Sequence, residues 1–281
     1  MLDFISTLPN WAVVSVVCAV VGGVAAGIGA LLERAGMKLG RFLPIIAVAF
    51  SISFIGNYAT GWLRKATLTP ARTSEMIKKS NPQLYGFIET SFPDDYAVLT
   101  ARMTELIKSG GTTAEIGPQA AEAMAQIRRK YAPMVGLASD VDQAAVMNAS
   151  ISFYQALLAT DPMLCNTVAI QGPTALLNRP GLEALKAMVE PQATSVLQAA
   201  ANAMKAPTQR RVATDADWEQ IGVEMADRGA TEAHFDAIAA ADPRSADLCP
   251  GLILMMQTMN AVDSEAIKTI RAEYLADVLA G

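Results

Sequence analysis

Cysteine and histidine are the side chains of this 281-residue sequence that most often bind metal ions, and only four of them occur. They are Cys18, Cys165, Cys249 and His234. A zinc site needs three or four convergent ligands, usually with two of them only a few residues apart. No two of these residues are spaced in that way. The sequence therefore predicts no metal ion and no cofactor.

His234 is also the only histidine that could act as a general base for a serine nucleophile, with Asp236 two positions away. Hydrolases of the α/β class carry the nucleophile on a G-x-S-x-G turn. The segment Gly136-Leu-Ala-Ser139 resembles that turn but lacks the closing glycine, and no Walker-type phosphate loop occurs. The sequence predicts no catalytic residue of these classes.

Paired carboxylates are the remaining groups that could perform acid–base chemistry. They occur as Asp94 with Asp95 and as Asp215 with Asp217, each pair where a helix is predicted to begin. Acids in the first turn of a helix are stabilised by its dipole, which explains both pairs without catalysis. We expect a protein that is not an enzyme. An envelope enzyme with an unrecognised site is the alternative.

Cys165 and Cys249 are the two cysteines outside the apolar runs, because Cys18 falls within the first strongly apolar run. In an oxidising compartment the two thiols could form a disulfide. Closing a loop of this length would stabilise the fold by roughly 4 to 5 kcal/mol in the chain-entropy model. The alternative is a pair of reduced, buried thiols that act as small hydrophobic side chains.

Two apolar runs without a charged side chain, 12–32 and 43–63, lie near the start of the sequence, and each is 21 residues long. As an α-helix each would span about 31 Å, which matches the hydrocarbon core of a bilayer. Trp11 precedes the first run, and Arg64 and Lys65 follow the second, as is typical of membrane interfaces. The pattern predicts a transmembrane hairpin. Two helices buried in a protein core are the alternative.

The first predicted span contains a GxxxG pattern, Gly23-Val-Ala-Ala-Gly27, which allows another helix to approach closely. We expect Gly23 and Gly27 to pack against the second span of the same hairpin. Packing between subunits is the alternative. In that case the hairpin would oligomerise, and the protein would be an effector that perturbs the bilayer.

Charges beside the two runs predict the orientation of the chain in the membrane. The loop 33–42 carries three basic side chains, whereas residues 1–11 carry none, so the positive-inside rule exports the chain after the second span. The five basic side chains between residues 64 and 79 favour the opposite orientation. We give more weight to the first span, and we predict a two-pass bacterial inner-membrane protein with a periplasmic domain.

The remainder of the chain, residues 66–281, carries 17 basic and 25 acidic side chains, a net charge of −8. Because nucleic-acid affinity depends on cations that neutralise phosphates, this charge argues against a nucleic-acid partner. The one basic cluster, Arg128-Arg129-Lys130, is predicted to face solvent from a helix. The predicted partners are the lipid bilayer and other membrane or envelope proteins, including a second copy of the chain.

Residues favourable to helices dominate the sequence after residue 65, and no sustained alternation typical of strands occurs. The predicted fold is all-α: a transmembrane hairpin over 1–65, a juxtamembrane connector over 66–82, and an irregular multi-helix soluble domain over 83–281. A faint repeat, in which Asp-Pro precedes Leu-Cys, suggests two related halves joined by a linker near 205–213.

Proline and glycine predict where the helices end. The predicted breaks are Phe92-Pro93-Asp94, Ser109-Gly110-Gly111, Asp161-Pro162, Arg179-Pro180, Ala206-Pro207 and Asp242-Pro243. Thr214 with Asp217 fits a capping-box or first-turn acid pattern at a helix start. Asn260 is predicted to be the N-cap of the last helix.

The apolar tract 251–259 is rich in methionine and too short to span a membrane. We predict that it is part of the core. The alternative is a groove that binds a partner helix, because flexible methionine side chains adapt to many surfaces. The residues of that groove would be Leu252, Leu254, Met255, Met256 and Met259.

These observations together predict a binding function. We expect a membrane-anchored, non-enzymatic accessory or assembly component of a larger envelope complex, which binds protein partners through an acidic helical domain.

Overall fold

The computed structural model describes residues 68–176, 179 and 181–280. Over these residues the chain forms eleven α-helices, one short 3-10 helix and no β-strand, which confirms the all-α prediction. The predicted transmembrane runs 12–32 and 43–63 lie outside the described residues. None of the helices within the described ranges is both long enough and apolar enough to cross a membrane.

The helices are numbered α1 to α11 in chain order. Their bounds are α1 Pro70–Ser80, α2 Pro82–Ser91, α3 Pro93–Lys108, α4 Thr113–Gly136, α5 Asp140–Thr160, α6 Pro162–Gln171, the 3-10 helix Pro173–Leu176, α7 Glu183–Lys205, α8 Asp215–Asp227, α9 Glu232–Ala240, α10 Leu248–Ala261 and α11 Glu265–Ala280. Helix α1 occupies most of the segment 66–82 that was predicted to be a connector. Residues 206–214, between α7 and α8, form no helix.

Side chains just before several helices accept hydrogen bonds from backbone N–H groups that the first turn leaves unpaired. The Asn81 amide oxygen accepts from the N–H of Leu84 at 3.0 Å, which caps α2. The Asp161 carboxylate caps α6 in the same way, at 2.9 Å from the N–H of Met163. The first helical residue after each cap is a proline, which has no N–H to satisfy.

The described residues fall into two compact units: 68–77 with 100–112 form the first, and the others, from 78–99 and from 113 onward, form the second. Among the described residues of the first unit, the buried hydroxyl of Thr104 donates to the buried hydroxyl of Thr73 at 2.8 Å. All sites discussed below lie in the second unit. The two related halves suggested by the sequence remain a prediction.

The core of the second unit lies around α5, which contacts α6, α7, α10 and α11. Helix α4 packs against α7 and α11, and α8 and α9 both pack against α10. The largest fully buried side chains of α5, α10 and α11 are Met147, Phe153, Leu157, Met256, Met259, Ile267, Ile270 and Leu275. Burial of each such side chain contributes about 1.5 to 3 kcal/mol to the free energy of folding.

Gly136 allows α4 and α11 to approach closely at the end of α4. A Cβ atom at this position would lie 3.0 Å from the backbone oxygen of Ala272 and 3.2 Å from the Cβ of Ala276. Both distances are shorter than ordinary van der Waals contact. A larger residue at this position would therefore require the neighbouring part of α11 to shift by a few tenths of an ångström.

The last helix starts later than the sequence predicted. Asn260 lies inside α10, so its prediction as the N-cap of the last helix is wrong. Ser264 has that role instead, because its hydroxyl accepts from the N–H of Ile267 at 3.3 Å. Helix α10 continues through Asn260, whose side-chain amide donates to the side-chain oxygen of Asn148 at 2.8 Å.

Candidate functional site

Cys165 of α6 and Cys249 of α10 lie against each other in the core. Their Cα atoms are 6.0 Å apart, their sulfur atoms are within bonding distance, and both residues are fully buried. This Cα separation suits a disulfide. The structure therefore brings together the two cysteines that the sequence paired.

Asn166 reinforces the same junction between α6 and α10. Its amide nitrogen donates to the carbonyl oxygens of Pro243 at 3.0 Å and Ser245 at 2.6 Å. Its amide oxygen accepts from the N–H of Cys249 at 3.1 Å. The Asn166 side chain is 1% exposed, so these bonds satisfy groups that would otherwise be buried without a partner. No local sequence pattern indicates this role, because the partners lie about 80 residues away.

A network of charged side chains connects the start of α5 to α11 and to the segment 206–214. The Arg271 guanidinium, 5% exposed, donates to Asp140 Oδ1 at 3.0 Å. Arg210 donates to the same oxygen at 2.8 Å, and Lys268 Nζ lies 3.6 Å from Asp140 Oδ2. Burial alone would raise the pKa of the Asp140 carboxyl, but Arg210, Arg271 and Lys268 together hold that pKa below its ordinary value.

The same network satisfies carbonyl groups at the end of α4. Arg210 Nη1 donates to the oxygens of Gly136 at 3.1 Å and Ala138 at 2.9 Å. The buried amide of Gln143 donates to the oxygens of Val135 and Gly136, and its own oxygen accepts from Arg271 Nε. Carbonyls in the last turn of a helix lack partners within the helix, so cations and amides there stabilise it.

Two of the residues considered for acid–base chemistry, His234 and Asp217, take part in helix capping. His234 Nδ1 accepts from the backbone N–H of Thr231 at 3.0 Å and so caps α9. The Asp217 carboxylate accepts from the N–H of Thr214 at 2.8 Å within a capping box and pairs with Arg211. The hydrogen bond from Arg211, with that from Thr214, holds the pKa of Asp217 well below its ordinary value.

The pair at the start of α3 interacts with α4 through one of its members. Asp95 accepts from Lys130 Nζ at 2.8 Å and from the Tyr131 hydroxyl at 2.6 Å. Over the described part of the chain, no three or more histidine, cysteine or acidic side chains are arranged to hold a metal ion. Gly23 and Gly27, predicted to pack the transmembrane hairpin, lie outside the described residues.

The side chains proposed as a partner groove belong to α10. Met255, Met256 and Met259 are buried, and Leu252 packs against the core. Leu254 is partly buried. A partner helix would therefore have to displace neighbouring helices to reach them, and the groove remains a prediction.

A cavity of about 370 Å³ opens between α2, α4, α7 and the 3-10 helix. Its walls are mainly apolar and include Leu84, Met124, Leu176, Val189 and Leu197. The volume is within the usual range of small-molecule pockets. Most of its lining side chains come from helices that are far apart in sequence.

Arg128 is the cation that lines this cavity. Its Nε atom is buried and has no hydrogen-bond partner among the described residues. Burial lowers the pKa of the Arg128 guanidinium, although the residue remains a cation at neutral pH. The prediction that the whole basic cluster 128–130 faces solvent is therefore wrong for Arg128. It holds for Arg129 and Lys130, which are exposed and paired with carboxylates.

Comparisons with models of protein families, with curated proteins and with solved structures each returned no match.

Proposed function

We propose that this chain is a two-pass bacterial inner-membrane protein that serves as an accessory or assembly component of an envelope complex. Its helical domain lies on the periplasmic side and binds protein partners. The main support for the proposal is the buried contact between Cys165 and Cys249. Two buried cysteines at disulfide distance suit a protein that folds in an oxidising compartment.

The roles of the polar side chains support binding over catalysis. His234, Asp217 and Asp140 each cap a helix or bridge elements of the core, so the hydrogen bonds they make serve the fold. A body stabilised in this way suits a scaffold that presents a fixed surface.

Helix α8 carries two exposed apolar side chains that are available to a protein partner. Trp218 is 43% exposed and Val223 is 60% exposed, on a helix whose exposed side chains are otherwise largely acidic. Tryptophan is enriched among the residues that dominate protein–protein affinity, and it is seldom left so exposed without a contact.

The test is recovery of the partner from cells. The tagged full-length chain is cross-linked in intact cells, extracted in a mild non-ionic detergent and purified, and co-purifying proteins are identified by mass spectrometry. We expect a stoichiometric membrane or envelope protein. The double variant Trp218→Ser with Val223→Ser should recover several-fold less of it.

The matched control is Val141→Ser, which removes an apolar side chain that is 80% exposed on α5. It should recover the partner as the wild type does. A chain that remains a solitary monomer under all cross-linking conditions would contradict the proposed function.

A further inference from the structure

The cavity beside Arg128 combines an apolar wall with a cation that has no carboxylate partner. Among the ion pairs of the described residues, none includes Arg128. The two residues that follow it differ in this respect. Arg129 lies 2.7 Å from a Glu122 carboxylate oxygen, and Lys130 lies 2.8 Å from that of Asp95.

An anion bound beside Arg128 would compensate for the hydration that this partly buried guanidinium loses. Its buried Nε–H has no acceptor among the described residues. A carboxylate can accept two parallel hydrogen bonds from a guanidinium, which restores both the charge balance and the missing hydrogen bond.

The other polar groups at the cavity restrict the charge of a ligand. Glu190 also lines the cavity, and its side chain is exposed. Burial, with the charge of Glu190, raises the pKa of the nearby Tyr85 hydroxyl, so that hydroxyl remains a neutral hydrogen-bond donor. Among the described lining residues there is one cation, Arg128, and one anion, Glu190, and this balance favours a singly charged head group over a phosphate dianion.

The apolar walls determine the rest of the ligand. Leu84 and Met124 line the cavity from α2 and α4, and Val189 and Leu197 line it from α7. These side chains offer contacts to an aliphatic chain and no specific hydrogen bond.

We propose that this cavity binds a medium-chain aliphatic carboxylate, with its head group on Arg128 and its chain against α2, α4 and α7. Decanoate, a carboxylate on a ten-carbon chain, is the representative of this class used as the probe below. The inference is independent of the proposed partner binding, because the cavity and the exposed face of α8 share no residue.

The experiment measures decanoate binding to the full-length chain in nanodiscs of zwitterionic lipid. Radiolabelled decanoate is equilibrated by dialysis, and the uptake by empty nanodiscs is subtracted. We expect saturable binding of one decanoate per chain. Decan-1-ol and decyltrimethylammonium, which have the same chain without the anion, should compete weakly. Decyl phosphate should compete less well than decanoate, and equal competition would identify the source of the anion as a phosphate head group.

Four variants assign the binding to the cavity. Arg128→Gln should weaken binding by at least about tenfold because it removes a charge-assisted hydrogen bond. Ala193→Phe, which fills the cavity and retains the cation, should abolish binding. The matched control Arg129→Gln removes the adjacent charge outside the cavity and should change affinity by less than about twofold. Glu190→Gln should leave binding unchanged or strengthen it.

Far-ultraviolet circular dichroism of each variant verifies that the helices are retained. If the Arg128→Gln variant does not fold, the Ala193→Phe variant still tests binding in the cavity, because it retains Arg128. The proposal would be overturned by non-saturable uptake of decanoate or by wild-type affinity in Arg128→Gln or Ala193→Phe. Equal affinity for decan-1-ol would also overturn it.

Discussion

Arg271 donates a hydrogen bond to Asp140 across 3.0 Å, and the two residues are 131 positions apart in the sequence. The contact joins the C-terminal helix to the start of α5, where Arg210 and Lys268 also approach Asp140. A single carboxylate thus balances cations from two separate segments of the chain.

Asp140→Asn should lower the free energy of unfolding by about 2 kcal/mol, because it leaves the buried Arg271 without its carboxylate. The Asp140 side chain is 45% exposed, so solvent compensates for part of the loss. Urea unfolding of the full chain in non-ionic detergent, followed by circular dichroism, measures the change. Asp263→Asn, which removes an 86% exposed partner of Lys268, should cost less than about 0.5 kcal/mol. Equal effects would show that burial of the network does not matter.

Gly136→Ala should destabilise the protein by about 1 to 3 kcal/mol, because the new methyl group overlaps the backbone of α11. Gly222→Ala is the matched control, since a Cβ there meets nothing within 4 Å inside α8. That variant should gain about 0.5 to 1 kcal/mol from helix propensity. Thermal unfolding of the two variants should therefore shift in opposite directions. A stabilised Gly136→Ala would mean that α4 and α11 do not approach as described.

Asn166→Ala should cost about 2 kcal/mol, because the carbonyls of Pro243 and Ser245 and the N–H of Cys249 lose their partner. The loss should be present with the disulfide intact. Asn202→Ala, which removes an exposed amide bonded to Asp142, should change stability by less than about 0.5 kcal/mol. Urea midpoints under non-reducing conditions measure both. If the urea midpoints of Asn166→Ala and Asn202→Ala were indistinguishable, the Asn166 side chain would not stabilise the junction as described.

Asp217 should make stability depend on pH in the acid range. Its folded-state pKa is held below the unfolded value by the hydrogen bond from Arg211, with that from Thr214, so it stabilises the fold above the unfolded pKa of about 3.9. That contribution is lost as the pH falls through the folded pKa. Asp217→Asn should be less stable than the wild type near neutral pH, and the difference should shrink below about pH 4.

The control for this pH dependence is Asp215→Asn, an exposed acid in the same first turn. It should change stability little at any pH. Unfolding midpoints measured from neutral pH down to about pH 3 give both curves. A difference between wild type and Asp217→Asn that stays constant over this range would contradict the assigned role of Asp217.

Local signals in the sequence predicted the helix boundaries well where a cap or a break acts on neighbouring residues. The break at Asp161-Pro162 separates α5 from α6, and Thr214 with Asp217 caps α8. The sequence predicted no break at Pro118, Pro133 or Pro191, and these prolines lie inside the long helices α4 and α7. Packing along the rest of these helices outweighs the hydrogen bond that each proline removes.

Contacts between distant residues account for most of what the sequence could not predict. Arg271 and Asn166 have partners 131 and about 80 positions away, and no local pattern indicates such partners. The three consecutive cations of the basic cluster are a second example. Arg128 lines the cavity between α2, α4 and α7, whereas Arg129 and Lys130 remain exposed. Composition alone cannot separate these three cations.

The most direct test of the proposed periplasmic domain counts the free thiols of the chain as it exists in cells. Thiols are trapped by acid, and the membrane pellet is denatured and alkylated with a polyethylene-glycol maleimide, which adds one mass step for each free cysteine. A disulfide between Cys165 and Cys249 should leave one step, at Cys18, before reduction and three after reduction. The Cys18→Ser variant should show none before reduction and two after. Three steps before reduction, or recovery of the chain outside the membrane pellet, would contradict a membrane-anchored periplasmic domain.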